Sequence, residues 1–561
     1  MNGTILDVLR DRAARTPDRV VFRFDEDDRV QSVTFADLAR AARSMAAALN
    51  REIAPGQRVL LVYPAGVPFI EALFGCLMAG IIAAPIYPGS VTDRSSSFEA
   101  IVENAAPAAV LTTGATLARL RKRGAAQGNL RWLPTDAIDV TDGDARASRP
   151  EPQDIALLQY TSSTTGKAKG VMVTHANILH NTRAIRETYS LTDGSRGVCW
   201  LPPYHDMGLI GGVLQTVSTG METLLFSALS FAQHPLRWLA AISSHRAELT
   251  AAPDFAYELA AAKLETLDGP LDLDLRTWRV AISGAEPVRA STMRRFAAAT
   301  ELYGFRAEAF FPSYGLAEST LIATGRRNAT QVSIRTIDRH AAGERVVREP
   351  RNPLAAQEIV GCGRPVGGMR VLTVDPERRL PCPDESIGEV WMAGDSVTAG
   401  YWNLPEETAS TFCAFLANSD GPFLRTGDLA FRVGGELFVT GRIKDLIIVR
   451  GRNHDPAGIE RSVEQCSPRF ASHGAAAFTV AAQSGEMLVV MQETTNAVSK
   501  DERADLLARA RAAVANEHQL SLHDLVLVRR GSLPRTTSGK IQRFRCRLRY
   551  VAGEVEGIAV S

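Results

Sequence analysis

The sequence predicts an α/β fold: a large N-terminal domain of layered α/β sheets, a β-barrel-like antiparallel subdomain, and a small, mobile C-terminal α+β domain. Three observations carry the layered sheets, the antiparallel unit and the separate C-terminal domain. Apolar runs of strand length recur at 59–63, 108–112, 155–160, 198–201, 224–226, 249–252 and 280–282, with helical patterns such as 35–49 and 68–79 between them. Runs of this kind between helices belong to buried, largely parallel strands. From about residue 371 the strands become short and alternating (371–374, 388–392, 437–440), with turns at Asp375-Pro376, Asn403 and Gly434-Gly435. That is the pattern of an antiparallel unit. The last stretch joins strand-like runs at 446–449, 476–480 and 488–492 to a helix over 501–517. Leu506, Leu507, Ala510, Ala513 and Val514 share one side of that helix. The natural division sets 1–443 apart from 444–561.

Composition narrows the function classes. Of 561 residues, 45% are hydrophobic and 22% charged, which is ordinary globular usage rather than a disordered chain. Lys+Arg (63) balances Asp+Glu (62), so no electrostatic footprint for nucleic acid exists. The seven cysteines are scattered and form no CxxC pair, as in a reduced, cytoplasmic protein. Residues 1–15 carry mixed charge and no apolar signal-peptide region. The uncharged stretch 72–92 is broken by Gly75, Gly80, Pro85, Pro88 and Gly89. Its apolar part falls short of the ~20 residues a spanning helix needs, so it reads as a buried helix followed by a buried strand, with no transmembrane segment. The segment 326–357 is polar and Arg-rich. It exceeds an ordinary connection of ~4–6 residues, and is either an insertion with a dedicated role or a tolerated surface loop.

Several strings carry chemistry. Gln159-Tyr-Thr-Ser-Ser-Thr-Thr-Gly-Lys-Ala-Lys-Gly170 follows a buried strand and precedes a helical pattern starting near His175. The hydroxyls of Thr161, Ser162, Ser163, Thr164 and Thr165, the turn at Gly166, and Lys167 or Lys169 suit a polyphosphate. The spacing is not that of a Walker A loop, and a plain Ser/Thr loop is the alternative. His205-Asp206 reads as half of a metal site or as a structural pair. Gly284-Ala285-Glu286 ends a strand at a small-residue turn where backbone can approach a flat ligand. Ser313-Tyr-Gly-Leu316 offers an aromatic ring and a tight turn, and Glu318 a carboxylate able to hold Mg²⁺ through one oxygen. Asp428 follows Gly427 and suits ribose hydroxyls; Arg442 and Lys444 sit at the domain boundary; Lys540 lies on a glycine-containing loop near the C-terminus.

Taken in order, these strings resemble the adenylate-forming superfamily of acyl-CoA synthetases, peptide-synthetase adenylation domains and luciferases. Its phosphate loop is similar to 160–170, its Tyr-Gly-x-x-Glu to 314–318, its Thr-Gly-Asp to 426–428, its Gly-Arg-x-x-Asp hinge to 441–445, and its Ser-Gly-Lys to 538–540. Within the superfamily the chain most resembles the fatty acyl-AMP ligases, through 203–211, 441–454 and the extra segment within 326–357. The resemblance implies activation of a fatty acid by ATP and Mg²⁺ to an acyl-adenylate. Transfer to the phosphopantetheine arm of an acyl carrier protein follows, feeding polyketide or lipopeptide assembly. It implies Lys540 at the α-phosphate, Glu318 on Mg²⁺, Tyr314 against adenine with 284–286 on the other face, Asp428 and Arg442 at the ribose, His205 between acyl chain and phosphate, and a hinge at Lys444.

Some positions depart from the family pattern. Ser163 stands where Gly is usual, Ala168 where Pro is common, and Asp455 where an aromatic follows Asn453-His454. Ile448 replaces the Lys that related CoA ligases often carry after the hinge, which disfavours CoA as acceptor. The rival readings are a fatty acyl-CoA synthetase and a non-catalytic nucleotide- or acyl-binding descendant. No G-x-S-x-G elbow supports a hydrolase.

Overall fold

A computed structural model describes the chain except for residues 1–2, 27–28, 93–96, 127–128, 138–148, 162–167, 329, 450–451, 483–484, 495–497, 537–538 and 556–561. Two large sheets organise the N-terminal part. The first has six strands in the order Trp132–Pro134, Ala109–Thr112, Arg58–Leu61, Ile82–Pro85, Ile155–Thr161, Lys169–Thr174. All pair in parallel except the last, which returns antiparallel along Ile155–Thr161. The second has seven, ordered Phe310–Pro312, Val280–Ser283, Leu249–Ala252, Arg196–Cys199, Glu222–Leu225, Val20–Glu26, Arg29–Thr34. Only Arg29–Thr34 runs antiparallel there. Each of the seven apolar runs read from the sequence falls on a strand, within two residues at either end.

Helix Phe35–Asn50 begins at Thr34, whose side chain accepts the N–H of Asp37 while Asp37 reaches back, a reciprocal cap. Helix Val67–Met78 is apolar on nearly every face because it is buried on nearly every face, within a core that residues of both sheets share. Strand Ile82–Pro85 follows it, fully buried. Among the described residues, no helix is long and apolar enough to cross a membrane. A second core backs strands Leu249–Ala252 and Val280–Ser283 with aromatics packed largely edge to face. Trp238 lies 5.1 Å from Tyr257 and 5.4 Å from Trp278, ring centre to ring centre. Its indole N–H, which could not be buried unpaired, donates to Thr250 Oγ1 at 3.1 Å.

Beyond these sheets, Arg370–Val374, Gly388–Ala393, Leu424–Val433 and Glu436–Arg442 form the antiparallel unit, in chain order. The segment 326–357 is more than a plain loop. Strand Ile334–Asp338 pairs antiparallel with Ala356–Val360, and Asp338 caps the short helix Arg339–Gly343 between them. Arg335, Asp338, Gln357 and Glu358 interrupt these strands, so no apolar run of the kind read elsewhere marks them. Arg339 Nη1 donates to Glu517 Oε2 at 2.9 Å and to His518 Nε2 at 3.0 Å, tying this segment to the C-terminal part.

That part has its own core around Ile459, Val490, Leu506, Ala510 and Leu525. Strands Phe470–Ala482 and Gly485–Thr494 pair antiparallel, and Leu522–Arg529 joins the second in parallel. Helices Pro456–Gln465, Lys500–His518 and Arg543–Val551 surround them. Asp455, odd by the family pattern, is the N-cap of the first, accepting the N–H groups of Ala457 and Gly458.

Candidate active site

Four neighbouring parallel strands of the seven-stranded sheet end on one side and hand the chain to one cavity of about 1250 Å³. Arg196–Cys199 leads to His205, Leu249–Ala252 to Phe255, Val280–Ser283 into 284–286, and Phe310–Pro312 into 313–318. Outside the carboxyl ends of parallel strands is where such sheets leave room for a ligand. The antiparallel unit supplies Asp428 and Arg442 from its last two strands, the turn Ile443–Asp445 supplies Lys444, and the C-terminal domain supplies Lys540. Thr161, Lys169, Gly284, Ala285, Glu286, Ser313, Tyr314, Gly315, Leu316 and Glu318 line the same cavity. Every described residue given a site role from the sequence therefore lines that cavity. Ser162, Ser163, Thr164, Thr165 and Gly166 lie outside the described residues.

The phosphate-loop candidate follows a buried strand and precedes a helix at His175, as read from the sequence, with one further strand between. It joins the antiparallel strands Ile155–Thr161 and Lys169–Thr174, and the helix His175–Thr188 starts only after the second strand. Any anion it holds owes nothing to a helix N-terminus. Lys169 opens the second strand, its Nζ 4.7 Å above the ring of Tyr401.

Tyr314 OH donates to Asp428 Oδ2 at 2.6 Å, and Arg442 Nε donates to Asp428 Oδ1 at 2.7 Å. Burial and the neighbouring Asp428 push the Tyr314 hydroxyl well above its usual pKa, so it stays a donor. Gly315 is required by a close approach: a Cβ there would sit 1.7 Å from the Leu321 carbonyl oxygen, where the chain folds back on itself. Gly315→Ala is expected to destabilise the protein by ~1–3 kcal/mol, the scale of an overpacked site, read as a lowered thermal midpoint. An unchanged midpoint would contradict the packing.

Ala285 holds a left-handed backbone, φ +67°, uncommon for a residue with a Cβ. Glu286 turns its carboxylate back onto the N–H of Phe255 at 2.7 Å, leaving mainly the backbone of 284–286 to meet a flat ligand. Ser313 Oγ is engaged with Tyr189 OH at 2.7 Å and with the Phe311 carbonyl at 3.1 Å.

His205 Nδ1 lies 2.6 Å from Asp206 Oδ1. Burial opposes the charge on Asp206, but His205 and Lys540 together hold its pKa below the usual carboxylate value. No second His or Asp completes a metal set: among the described residues no group of three or more His, Cys, Asp or Glu gathers. Glu318 is the one cavity-lining carboxylate placed for a metal by the sequence reading. A hard cation such as Mg²⁺ fits it only by taking its remaining ligands from a substrate's phosphates and water, which is how Mg²⁺ commonly binds.

Tyr401 is the residue that sequence reasoning missed. Its OH donates to Glu318 Oε1 at 2.7 Å while its ring carries Lys169. Burial and Glu318 push its pKa above the ordinary tyrosine value, so it too remains a donor. Gly400-Tyr-Trp402 carries no local signal for this; the contact spans 83 residues.

The residues gathered round this cavity lie on the fold of the adenylate-forming enzymes. Residues 9–402 match the AMP-binding enzyme family, and residues 444–560 match the AMP domain of Disco-interacting protein 2-like proteins. The chain is 37% identical to the medium-chain fatty-acid–acyl-carrier-protein ligase JamA of Moorena producens, over 99% of this chain and 96% of that protein. It resembles the crystal structure of a fatty acyl-adenylate ligase from Legionella pneumophila in complex with acyl adenylate and pyrophosphate (35% identity, TM-score 0.77, 99% of this chain and 97% of that one). A structure from a study of fatty acyl-adenylate ligases of Escherichia coli and L. pneumophila aligns with TM-score 0.88 at 31% identity, over 98% of both chains. The chain belongs to the fatty acyl-AMP ligase family of AMP-binding enzymes.

Proposed function

We propose that this enzyme joins a fatty acid to the α-phosphate of ATP, releasing pyrophosphate, and then passes the acyl group to the phosphopantetheine thiol of an acyl carrier protein. One observation carries the reading. The cavity is lined both by Lys540, Glu318 and Asp428 and by an apolar patch of Ile185, Tyr189, Met221, Leu249 and Ile322, which belong to one hydrophobic cluster. A chain with a charged head and an apolar tail matches that polarity. The name of the Moorena relative supports the carrier protein as acceptor.

In the first step a carboxylate oxygen attacks the α-phosphorus as the bond to the β-phosphate breaks. Both partners are anions, so cationic groups aimed at the developing charge matter most. Lys540 supplies one at the α-phosphate. Glu318 would hold Mg²⁺, which when bound would supply Lewis-acid neutralisation of the phosphates. Tyr314 packs on adenine, Asp428 and Arg442 receive the ribose, and Thr161 and Lys169, with Ser162 to Gly166, hold the outer phosphates. His205 lines the passage from tail to phosphate. Closure of the C-terminal domain, residues 444–561, excludes water from an anhydride that hydrolyses easily. Rotation about Lys444, which is exposed in its turn, then withdraws Lys540 and admits the thiol. The thiol sulfur attacks the acyl carbon and AMP departs. The same reading places the enzyme in the cytoplasm, with seven free thiols.

The rival acceptor is CoA. Ile448, 54% exposed just after the hinge, puts an apolar side chain where related CoA ligases often carry a cation. The deciding experiment measures pyrophosphate release across a chain-length series, then identifies products by mass when CoA or holo carrier protein is supplied. Acyl-carrier protein is expected. Acyl-CoA alone would overturn the choice of acceptor, and fatty-acid-independent pyrophosphate release would overturn the substrate class.

A further inference from the structure

Lys540 reaches the cavity only because the C-terminal domain is docked in this orientation, and a buried polar contact sits where the two domains meet. Glu464 ends helix Pro456–Gln465 of the C-terminal domain, with its side chain 6% exposed. One carboxylate oxygen, Oε1, accepts the N–H of Gly474 at 3.1 Å, within its own domain. The other, Oε2, accepts from Arg289 Nη1 of the large domain at 2.9 Å. Arg289 is itself anchored, its backbone N–H donating to Asp254 Oδ1 at 3.0 Å while Thr292 Oγ1 donates to Asp254 Oδ2 at 2.9 Å. His473 crosses beside this pair, its Nε2 3.5 Å from Asp254 Oδ2.

From these residues a chain of contacts leads to the lysine. The His473 carbonyl accepts from Arg535 Nη2 at 2.9 Å, and Arg535 Nη1 donates to the Gly539 carbonyl at 3.1 Å. Gly539, at φ +89°, packs against Phe255, whose ring a Cβ would meet at 3.2 Å. Lys540 comes next, its N–H donating to Thr536 Oγ1 at 3.1 Å.

We propose that the Arg289–Glu464 ion pair is the latch that holds the C-terminal domain in its adenylating orientation, with Arg289 and Glu464 acting as positioning residues for Lys540. This rests on the proposed two-step function. A buried ion pair gains little net stability, because desolvating both charges offsets their attraction. Such a pair holds an orientation without locking it. Removing one partner is different: it leaves an uncompensated charge buried in the docked state and solvated in the rotated one, so the equilibrium shifts toward rotation.

The test uses the full-length enzyme with Glu464→Gln, Arg289→Gln and the double substitution. ATP–pyrophosphate exchange is expected to fall at least about tenfold in each single variant, the scale of an uncompensated buried charge, with the double no worse than the weaker single. Transfer from purified acyl-adenylate to a holo carrier protein should stay within about twofold of wild type, since it needs the rotated state. A loss shared equally by both half-reactions, or exchange left unchanged, overturns the latch. A dye on each domain gives a second readout that needs no turnover. The inter-dye distance should shift in both single variants, and an unchanged distribution overturns the proposal. A wild-type enzyme without fatty-acid-dependent exchange would sink the function while leaving this distance test standing.

Discussion

Lys540→Ala is expected to lower adenylate formation by ~10²–10³-fold while nucleotide binding is kept, the scale of losing one preorganised electrostatic stabiliser. The loop carrying Lys540 is folded back on itself: Thr536 N–H donates to the Lys540 carbonyl at 2.7 Å and Lys540 N–H to Thr536 Oγ1 at 3.1 Å. The ammonium is therefore presented by ordered backbone rather than by a wandering tail. Its charge lowers the pKa of Asp206 and works in the same direction on Glu286, whose carboxyl burial nevertheless raises. The groups assigned to adenine and ribose, Tyr314 and Arg442, are held by Asp428 rather than by Lys540. Calorimetric ATP affinity should change little. Lys540→Arg should also fail to restore the rate, because a planar guanidinium is a poor substitute for a compact ammonium. ATP–pyrophosphate exchange at near wild-type rate in Lys540→Ala would remove this residue from the chemistry.

The lysine shows why the site was largely legible in sequence. Lysine is scarce, seven against the arginines that make up the rest of 63 basic residues, and Lys167, Lys169, Lys444 and Lys540 fall in the motif strings. The strands were legible for a different reason: parallel strands buried on both faces are apolar throughout, and none of the seven runs was mistaken. What stayed hidden depends on residues far apart in the chain. Tyr401 meets Glu318 across 83 positions, and Arg289 meets Glu464 across 175. No local pattern marks either pair. The strand pair Ile334–Asp338 with Ala356–Val360 was hidden by its polar residues, and Asp455 looked like a departure until its place at a helix N-terminus explained it. The helix expected near His175 starts there, after a strand, Lys169–Thr174, that the sequence reading did not name.

Glu318→Gln is expected to cut kcat/KM for adenylation by ~10²-fold and to raise the Mg²⁺ concentration needed for half-maximal rate. The reason lies in Tyr401. Its hydroxyl is held protonated by burial and by Glu318, and donates to Oε1. In the variant the same hydroxyl captures the amide oxygen, which turns the NH₂ group to the position of Oε2. A donor then faces the cation, so the substitution repels the metal instead of merely weakening its ligand. This orientation argument yields a sign that a simple loss of charge does not. Adding Tyr401→Phe to Glu318→Gln frees the amide to flip its oxygen toward the metal, so the double variant should recover part of the loss. Tyr401→Phe alone should cost less than Glu318→Gln, about tenfold in metal affinity, as for other groups that orient a ligand. Binding of Mn²⁺ with a non-hydrolysable ATP analogue, followed by electron paramagnetic resonance, reads the affinity without turnover. Unchanged Mn²⁺ affinity in Glu318→Gln would take the metal away from Glu318, and a double variant worse than both singles would contradict the role given to Tyr401.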